Sequence, residues 1–294
     1  MAYKSYTMEL AGRTLRVDVG RVAKQANGAV LIHYADTVIL STATASEKPR
    51  EGIDFFPLSV EFEEKMYSVG KIPGGFNKRE GKASEHAVLT SRVIDRPMRP
   101  LFPKDYRNDV TLNNLVMSVD PDANPEVVAM LGSAIAVCIS DIPFDGPISA
   151  TEVGLVDGKF VFNPTADEKE KSDLALTVAS TREKVIMIEA GANEVPEDQM
   201  IEAIFAAHDK ILQKVFRASK YIGWDIPNQV GIIGFDNWNW TIYASPSVTT
   251  IDQPTYQEGK HATKLLIDMI ENRDSVLDSA VFDCNIAWKE STNL

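Results

Sequence analysis

The sequence predicts an α+β domain that is followed by a smaller α/β segment. Two features predict the α+β domain: strands that pair as hairpins dominate the first 62 residues, and helices with strong start signals lie between later strands. One feature predicts the α/β segment: a buried strand at residues 230–235 precedes a stretch of helical spacing at 256–271 and a last strand at 281–288.

The composition is that of an ordinary globular protein, with 44% hydrophobic and 24% charged residues. A length of 294 residues suggests one or two domains. The chain has 30 lysine and arginine residues against 42 acidic residues, a formal charge of −12. Because an acidic chain resists non-specific binding to phosphate backbones, any surface that binds nucleic acid must be a local basic patch.

Several features indicate the compartment. No apolar run approaches the roughly 20 residues that a membrane-spanning helix needs, and the polar start of the chain lacks the apolar core of a secretion signal. Cys138 and Cys284 lie far apart in the sequence, and Cys138 falls in an apolar run that predicts a buried thiol. We therefore expect no disulfide, no membrane contact and a cytoplasmic location.

The N-terminal third reads as a sheet of hairpins. Residues 6–10 and 14–19 alternate around a tight turn at Ala11 and Gly12, and residues 29–34 and 37–43 flank a second turn at Ala35 and Asp36. Residues 55–62 are expected to continue the same sheet.

Helix start signals organise the middle of the chain. Residues 69–83 hold four glycines and a proline and predict a loop; Ser84 can cap a helix that runs to about residue 96, where Pro97 limits its continuation. After a strand at 110–119, Asn124 and Pro125 are a cap and first turn for a helix to about residue 140.

The later elements follow by the same arguments. A hairpin at 154–162 turns at Asp157 and Gly158, and strands are predicted at 174–178 and 184–189. A helix that starts after Pro196 is expected to end near Gly223, and residues 236–247 are expected to form a loop.

The loop at 70–85 carries the strongest motif in the chain. Its glycines let the backbone approach a ligand closely, and Phe76 can offer a stacking face to a base. Lys78 and Arg79 can contact phosphate oxygens. Most basic, glycine-rich loops are only solvated loops, so the residues by themselves are also compatible with a solvated loop that binds no ligand.

A strip of arginines follows the loop. Arg92, Arg96 and Arg99 recur at helical or near-helical spacing and form a candidate cationic strip for RNA. The same arginines can instead hold the fold through ion pairs with Asp95 and Glu85.

Residues 1–209 resemble the first ribonuclease-PH-like domain of bacterial polynucleotide phosphorylases. The stretches that carry the resemblance are 70–85 and 89–103, supported by 54–58, 124–130 and 142–147. The resemblance implies a ribonuclease-PH-like fold, also described as ribosomal-protein-S5-domain-2-like, and a role in phosphate-dependent 3′-to-5′ degradation of messenger RNA. It also implies that the loop lines the neck of a ring-shaped homotrimer and grips single-stranded RNA. The family motif more often has a second aromatic residue where this chain has Asn77.

The resemblance implies no catalytic centre in this chain. The family uses inorganic phosphate and Mg²⁺ or Mn²⁺ at a site in its second domain, where two aspartates and a lysine occupy positions that align here with Lys169, Ala175 and Thr177. We therefore expect no metal and no cofactor in this chain. Asp167 and Asp173 are also six residues apart, but they are out of frame, and a solvated charged loop is preferred to a metal site.

Residues 211–294 resemble the C-terminal part of sugar-responsive regulators of the lactose-repressor family, on stretches 215–220, 226–228, 230–237, 248–254 and 289–292. The resemblance implies a partial fold of the periplasmic-binding-protein type, in which Asp236 would bind sugar hydroxyls and Trp238 or Trp240 would stack on a sugar. His208 stands where that family places a ligand-binding Asn. DNA binding is not expected because no helix-turn-helix is seen.

The predicted domains are therefore 1–210 and 211–294. Residues 203–209 suit both families, so we hypothesise a recombined or assembled reading frame that lacks the phosphorylase's second domain. The expected function is a truncated, RNA-binding domain of the phosphorylase family, with single-stranded RNA and other copies of the chain as partners. The alternatives are a fragment of a sugar-responsive regulator and a fusion without any partner.

Overall fold

The computed structural model of the protein describes residues 3–181, 184–221, 233–235, 247–252, 254, 257, 260–261, 263–264 and 282–292. The chain divides into two compact units, Met1–Val215 and Phe216–Leu294. Among the described residues, no helix is long and apolar enough to cross a membrane.

A six-stranded sheet forms the first half of the larger unit. Its strand order is β1-β2-β3-β4-β6-β5, and all neighbours are antiparallel except β5 and β6, which are parallel. The strands are β1 Lys4–Leu10, β2 Arg13–Val19, β3 Gly28–Tyr34, β4 Thr37–Ala45, β5 Leu58–Glu64 and β6 Val110–Ser118.

The two predicted hairpins are confirmed. Ala11 and Gly12 have φ angles of 48° and 76°, so both turn residues are left-handed, which matches the twist of the flanking strands. Ala35 also has a positive φ of 50° at the second turn.

Two helices cover one face of this sheet. α1 (Glu85–Met98) packs on β5, and α2 (Pro125–Cys138) packs on β3 and β4. Both predicted caps are present: the Ser84 hydroxyl accepts a hydrogen bond from the N–H of Ala87 at 3.0 Å, and the Asn124 side chain accepts one from Glu126 at 2.9 Å. The core between helices and sheet contains the fully buried side chains Ile32, Ile39, Ile94, Leu112 and Met130.

Two local predictions in this half are wrong, and one helix end is shifted. α1 ends at Met98, two residues after its predicted end, with Pro97 buried in its last turn, and a 3-10 helix, Arg99–Leu101, follows. The strand predicted from residue 55 begins at Leu58, since Phe56 packs against Phe102 with ring centroids 4.8 Å apart. Cys138 is exposed rather than buried because it lies on the outer side of the last turn of α2; nearby atoms still raise the pKa of its thiol by desolvation.

A four-stranded antiparallel sheet forms the second half of the larger unit, in the order β10-β9-β7-β8. The turn at Asp157 and Gly158 is confirmed, with φ angles of 49° and 72°. One face of the sheet packs on Ala203 and Ala207 of the long helix α4. The elements are β7 Ser149–Val156, β8 Lys159–Phe162, α3 Ala166–Glu170, β9 Leu174–Ser180, β10 Val185–Ala192 and α4 Glu197–Tyr221.

The smaller unit has a three-stranded sheet. β11 (Ile233–Phe235) is parallel to β12 (Thr249–Asp252), which is antiparallel to β13 (Asn285–Ala287). The strands predicted at 230–235 and 281–288 are thus seen in part. Of the helix predicted at 256–271, residues 257, 260, 261, 263 and 264 are helical, and its other residues lie outside the described ones, as does nearly all of the loop predicted at 236–247.

Candidate nucleic-acid interface

The basic loop projects between a 3-10 helix, Met66–Val69, and α1. Lys78 has a left-handed φ of 51° and donates its backbone N–H to the carbonyl of Gly75 at 3.0 Å, which closes a tight turn. Phe76 and Asn77 are the two central residues of this turn, and the Phe76 ring is fully exposed. The turn therefore presents an aromatic face outward at the tip of the loop.

The charge of the loop opposes the charge of the chain. Residues 70–84 contain four basic side chains, Lys71, Lys78, Arg79 and Lys82, and the single acidic residue Glu80, whereas the whole chain carries −12. In the described parts of the chain, the side chains of Lys78 and Arg79 have no hydrogen-bond or ion-pair partner. Two unpaired cations beside an exposed ring can contact phosphates and a base together.

The three arginines of the strip have different surroundings. Arg99 makes a bidentate ion pair with Asp95, at 2.9 and 2.6 Å, and donates to the carbonyls of Phe56 and Leu58 at 3.1 and 3.2 Å. Its guanidinium also lies 6.0 Å from the centre of the Phe56 ring. These contacts join α1 to the start of β5, so the geometry of Arg99 favours the fold-holding alternative.

The side chains of Arg96 and Arg92 are more available for contact with a ligand than the side chain of Arg99. Arg96 lies 3.7 Å from the Glu189 carboxylate in a pair whose two side chains are largely exposed, a contact of little energetic weight. Arg92 is exposed, and the described residues provide its side chain with no hydrogen-bond or ion-pair partner. The strip thus contains one structural arginine and two that can reach a ligand.

Acidic residues at the end of β5 anchor both ends of the loop, and the sequence reading missed them. Glu63 pairs with Lys65 and accepts from Asn113 at 3.1 Å; these partners lower the pKa of Glu63, and the bond to Glu63 raises the pKa of Lys65. Glu64 accepts from the Ser84 hydroxyl at 3.1 Å and lies 3.3 Å from His86. Apart from the pair of Glu63 with Lys65, these contacts join residues about 20 positions apart or more, so no sequence signal marks them.

The positions aligned with the family's catalytic residues have structural surroundings. Lys169 makes a 2.8 Å ion pair with Glu152, and Ala175 and Thr177 lie on the outward-facing side of β9. The stretch predicted as a solvated loop is in part a short helix, α3, because Thr165 and Glu168 form a capping box with bonds of 3.3 and 2.8 Å. Asp167 lies in this helix, and Asp173 lies just before β9; among the described residues, no group of three metal-binding side chains is present.

The predicted sugar-binding residues Asp236 and Trp238, and Trp240 with them, lie outside the described residues. His208 is described: its Nδ1 lies 3.0 Å from the buried Ser180 hydroxyl, and burial lowers the pKa of its imidazole. His208 therefore contacts the end of β9.

The chain matches both domain models of one protein family. Residues 11–143 match the "3' exoribonuclease family, domain 1", and residues 146–210 match the "3' exoribonuclease family, domain 2". Together the two matches cover well over half of the chain, so the chain belongs to the 3′ exoribonuclease family.

The relatives narrow this assignment to the first ribonuclease-PH-like domain of polynucleotide phosphorylase. The chain is 74% identical over 239 residues to the polyribonucleotide nucleotidyltransferase of Lachnoclostridium phytofermentans, a match to 78% of this chain and 34% of that protein. It is 61% identical over 209 residues to the one from Ruminiclostridium cellulolyticum, covering 71% and 30%. The chain thus spans about a third of the length of the curated relatives it matches.

A solved structure supports the fold. A chain of an archaeal exosome core superposes with a TM-score of 0.53 at 15% identity, covering 74% of this chain and 86% of that one. At this identity the likeness shows a shared fold alone, the α+β fold of ribonuclease PH.

Substitutions of Arg99 and Arg92 should affect the stability of the fold differently, because the two side chains have different surroundings. Arg99→Ala should lower the free energy of unfolding by about 1–2 kcal/mol, because it removes an ion pair and two hydrogen bonds that join α1 to β5. Arg92→Ala, the matched control within α1, should change the free energy of unfolding by no more than about 0.5 kcal/mol. Urea denaturation followed by circular dichroism measures both, and equal effects would contradict the structural role of Arg99.

Proposed function

We propose that residues 1–210 bind single-stranded RNA through the basic loop, as the RNA-gripping domain of a phosphorolytic 3′-to-5′ exoribonuclease that degrades messenger RNA in the cytoplasm. One observation carries the proposal: the fully exposed ring of Phe76 stands at the tip of a turn, next to the cations Lys78 and Arg79, whose side chains are unpaired in the described structure. The family membership and the names of the relatives support it.

The proposed contacts differ in kind. Phe76 stacks on a base, while Lys78, Arg79 and Arg92 contact phosphates, and Arg96 joins them when it leaves its exposed pair with Glu189. RNA binding by Arg99 stays a prediction. Its contacts do not favour that role, because the guanidinium is already bonded to Asp95 and to two backbone carbonyls. Homo-oligomers of the chain would place several such loops around one strand, as the family resemblance implies for a trimer.

We propose further that this chain has no catalytic centre of its own. Phosphorolysis requires cations that hold phosphate and carboxylates that hold a divalent metal. Lys169, Ala175 and Thr177 occupy the aligned positions, and none supplies a carboxylate. The Mg²⁺ or Mn²⁺ and the phosphate that the family uses would then act in a domain other than this one.

Removal of the two loop cations should weaken RNA binding. We expect the Lys78→Ala/Arg79→Ala variant to bind labelled oligoadenylate about tenfold or more weakly, and the slope of log K against log salt to fall by about 1.4, since each phosphate contact on a single strand contributes about 0.7. Fluorescence anisotropy at several salt concentrations measures both quantities. The control variant Lys24→Ala/Lys104→Ala removes the same charge from exposed positions outside the loop and should reduce the affinity for oligoadenylate less. Equal losses of affinity in the two variants would indicate non-specific electrostatic attraction.

The full chain should not degrade RNA by itself. We expect no release of nucleoside diphosphate when the purified chain is incubated with labelled oligoadenylate, inorganic phosphate and Mg²⁺ or Mn²⁺, because no carboxylate stands at the aligned positions. Thin-layer chromatography detects the product, with a full-length polyribonucleotide nucleotidyltransferase as the positive control. Diphosphate release that co-purifies with the chain would overturn the proposal.

A second candidate function concerns residues 211–294, which we propose to be a fragment of a sugar-responsive regulator of the lactose-repressor type. The parallel pairing of β11 with β12 supports it, since parallel strands are typical of α/β folds. On this proposal the domain boundary lies at 210/211, and the chain is a recombined or assembled fusion. Long-read sequencing of the source locus tests the fusion: two separate intact genes would indicate an artefact, and a fused transcript would refute one.

Sugar titration separates the two functions. A sugar that binds the folded chain at 100 times its Kd should stabilise it by about 2.7 kcal/mol and raise its melting temperature, and Asp236→Ala should abolish that rise. The RNA-binding function predicts no change in melting temperature with any sugar and a rise with oligoadenylate. Differential scanning fluorimetry with a panel of sugars decides between them.

A further inference from the structure

The loop is anchored mainly at its two ends. Before the 3-10 helix and the loop, Lys65 pairs with Glu63; after the loop, Ser84 is hydrogen-bonded to Glu64. Between Ile72 and Ala83, the described structure contains two hydrogen bonds: the bond that closes the turn at Lys78, and one from the backbone N–H of Met66 to Oε1 of Glu80 at 3.0 Å. The second is therefore the one tether in this stretch that joins the loop to the rest of the fold.

Glu80 accepts its hydrogen bond from the start of a 3-10 helix that has no cap from its own N-cap side chain. Met66 is the first residue of the 3-10 helix Met66–Val69, and the side chain of its N-cap residue, Lys65, makes no capping hydrogen bond. The N–H groups at the start of a helix need an acceptor from outside the helix, and a carboxylate is well suited to that position. Glu80 supplies this acceptor from 14 residues further along the chain.

We propose that Glu80 is a positioning residue for RNA binding: its carboxylate fastens the loop to the 3-10 helix so that the tip with Phe76, Lys78 and Arg79 is held outward. The inference rests on the proposed RNA-binding function of the loop. A tether one residue after Arg79 limits the conformations of the tip, so less entropy is lost when RNA binds.

Whether removal of the Glu80 carboxylate weakens or tightens RNA binding distinguishes a positioning role from simple charge repulsion. Glu80 is the single negative charge among the loop's four positive ones, so Coulomb repulsion alone predicts that its removal tightens binding of an anionic strand. Loss of the tether predicts weaker binding. A glutamine at the same position keeps an acceptor oxygen of the same reach and removes the charge, so it separates the two effects.

The experiment measures binding of labelled oligoadenylate to the full chain and three variants at one salt concentration. Glu80→Ala should bind about three- to tenfold more weakly, which corresponds to the loss of one tether. Glu80→Gln should bind as well as the unaltered chain or better. Glu85→Ala is the matched control, because Glu85 is a nearby exposed carboxylate with no hydrogen-bond or ion-pair partner among the described residues, and its removal should leave binding equal or tighter.

A second readout follows the loop without RNA. Trypsin cleavage after Lys71, an exposed position away from the substitution, should be faster in Glu80→Ala and unchanged in Glu80→Gln. Unchanged cleavage in Glu80→Ala, or tighter RNA binding by that variant, overturns the inference.

The Lys78→Ala/Arg79→Ala variant tells the two proposals apart. If it binds RNA weakly and Glu80→Ala binds normally, this inference fails and the proposed function stands. If neither variant loses binding, both proposals fail.

Discussion

The parallel pairing of β5 with β6 is the constraint on which the interface depends. Parallel neighbours cannot be joined by a tight turn, so the chain must cross from the end of β5 to the start of β6 through a long connection. That connection contains the basic loop and α1. Because α1 packs its buried face on β5 and closes the core, the loop before it is held at a rigid edge of the sheet.

Electrostatics at this edge is local. The chain as a whole repels nucleic acid, but exposed charges act over about 10 Å or less at physiological salt. The loop contains four cations, and the two at its tip have no side-chain partner among the described residues. The acidic residues of β5 are nearby, yet Glu63 and Glu64 are bonded to Lys65, Ser84 and His86 and serve as anchors. The negative charge of Glu63 and Glu64 thus serves to fix the cationic loop in place.

The arginine strip shows why residue type and spacing alone do not decide the role of a side chain. Arg92 lies within α1 and Arg99 directly follows its last residue; both side chains are guanidinium groups, and both residues are exposed. Arg99 is one turn after Asp95 and within reach of two carbonyls at the start of β5, so its hydrogen-bond donors are used. The side chain of Arg92 has no such neighbours in the part of the chain that the structure describes. Helical spacing identifies the strip, and only the position of β5 separates the structural arginine from the available one.

The sequence by itself determined the hairpin turns, the caps at Ser84 and Asn124, and the basic loop, since each depends on residues a few positions apart. The tertiary structure decided that Pro97 lies inside α1, that Cys138 faces solvent and that Glu80 reaches the N–H of Met66. These outcomes depend on which surfaces pack together, and local preferences of about 1 kcal/mol are overridden by burial and by hydrogen bonds between distant residues.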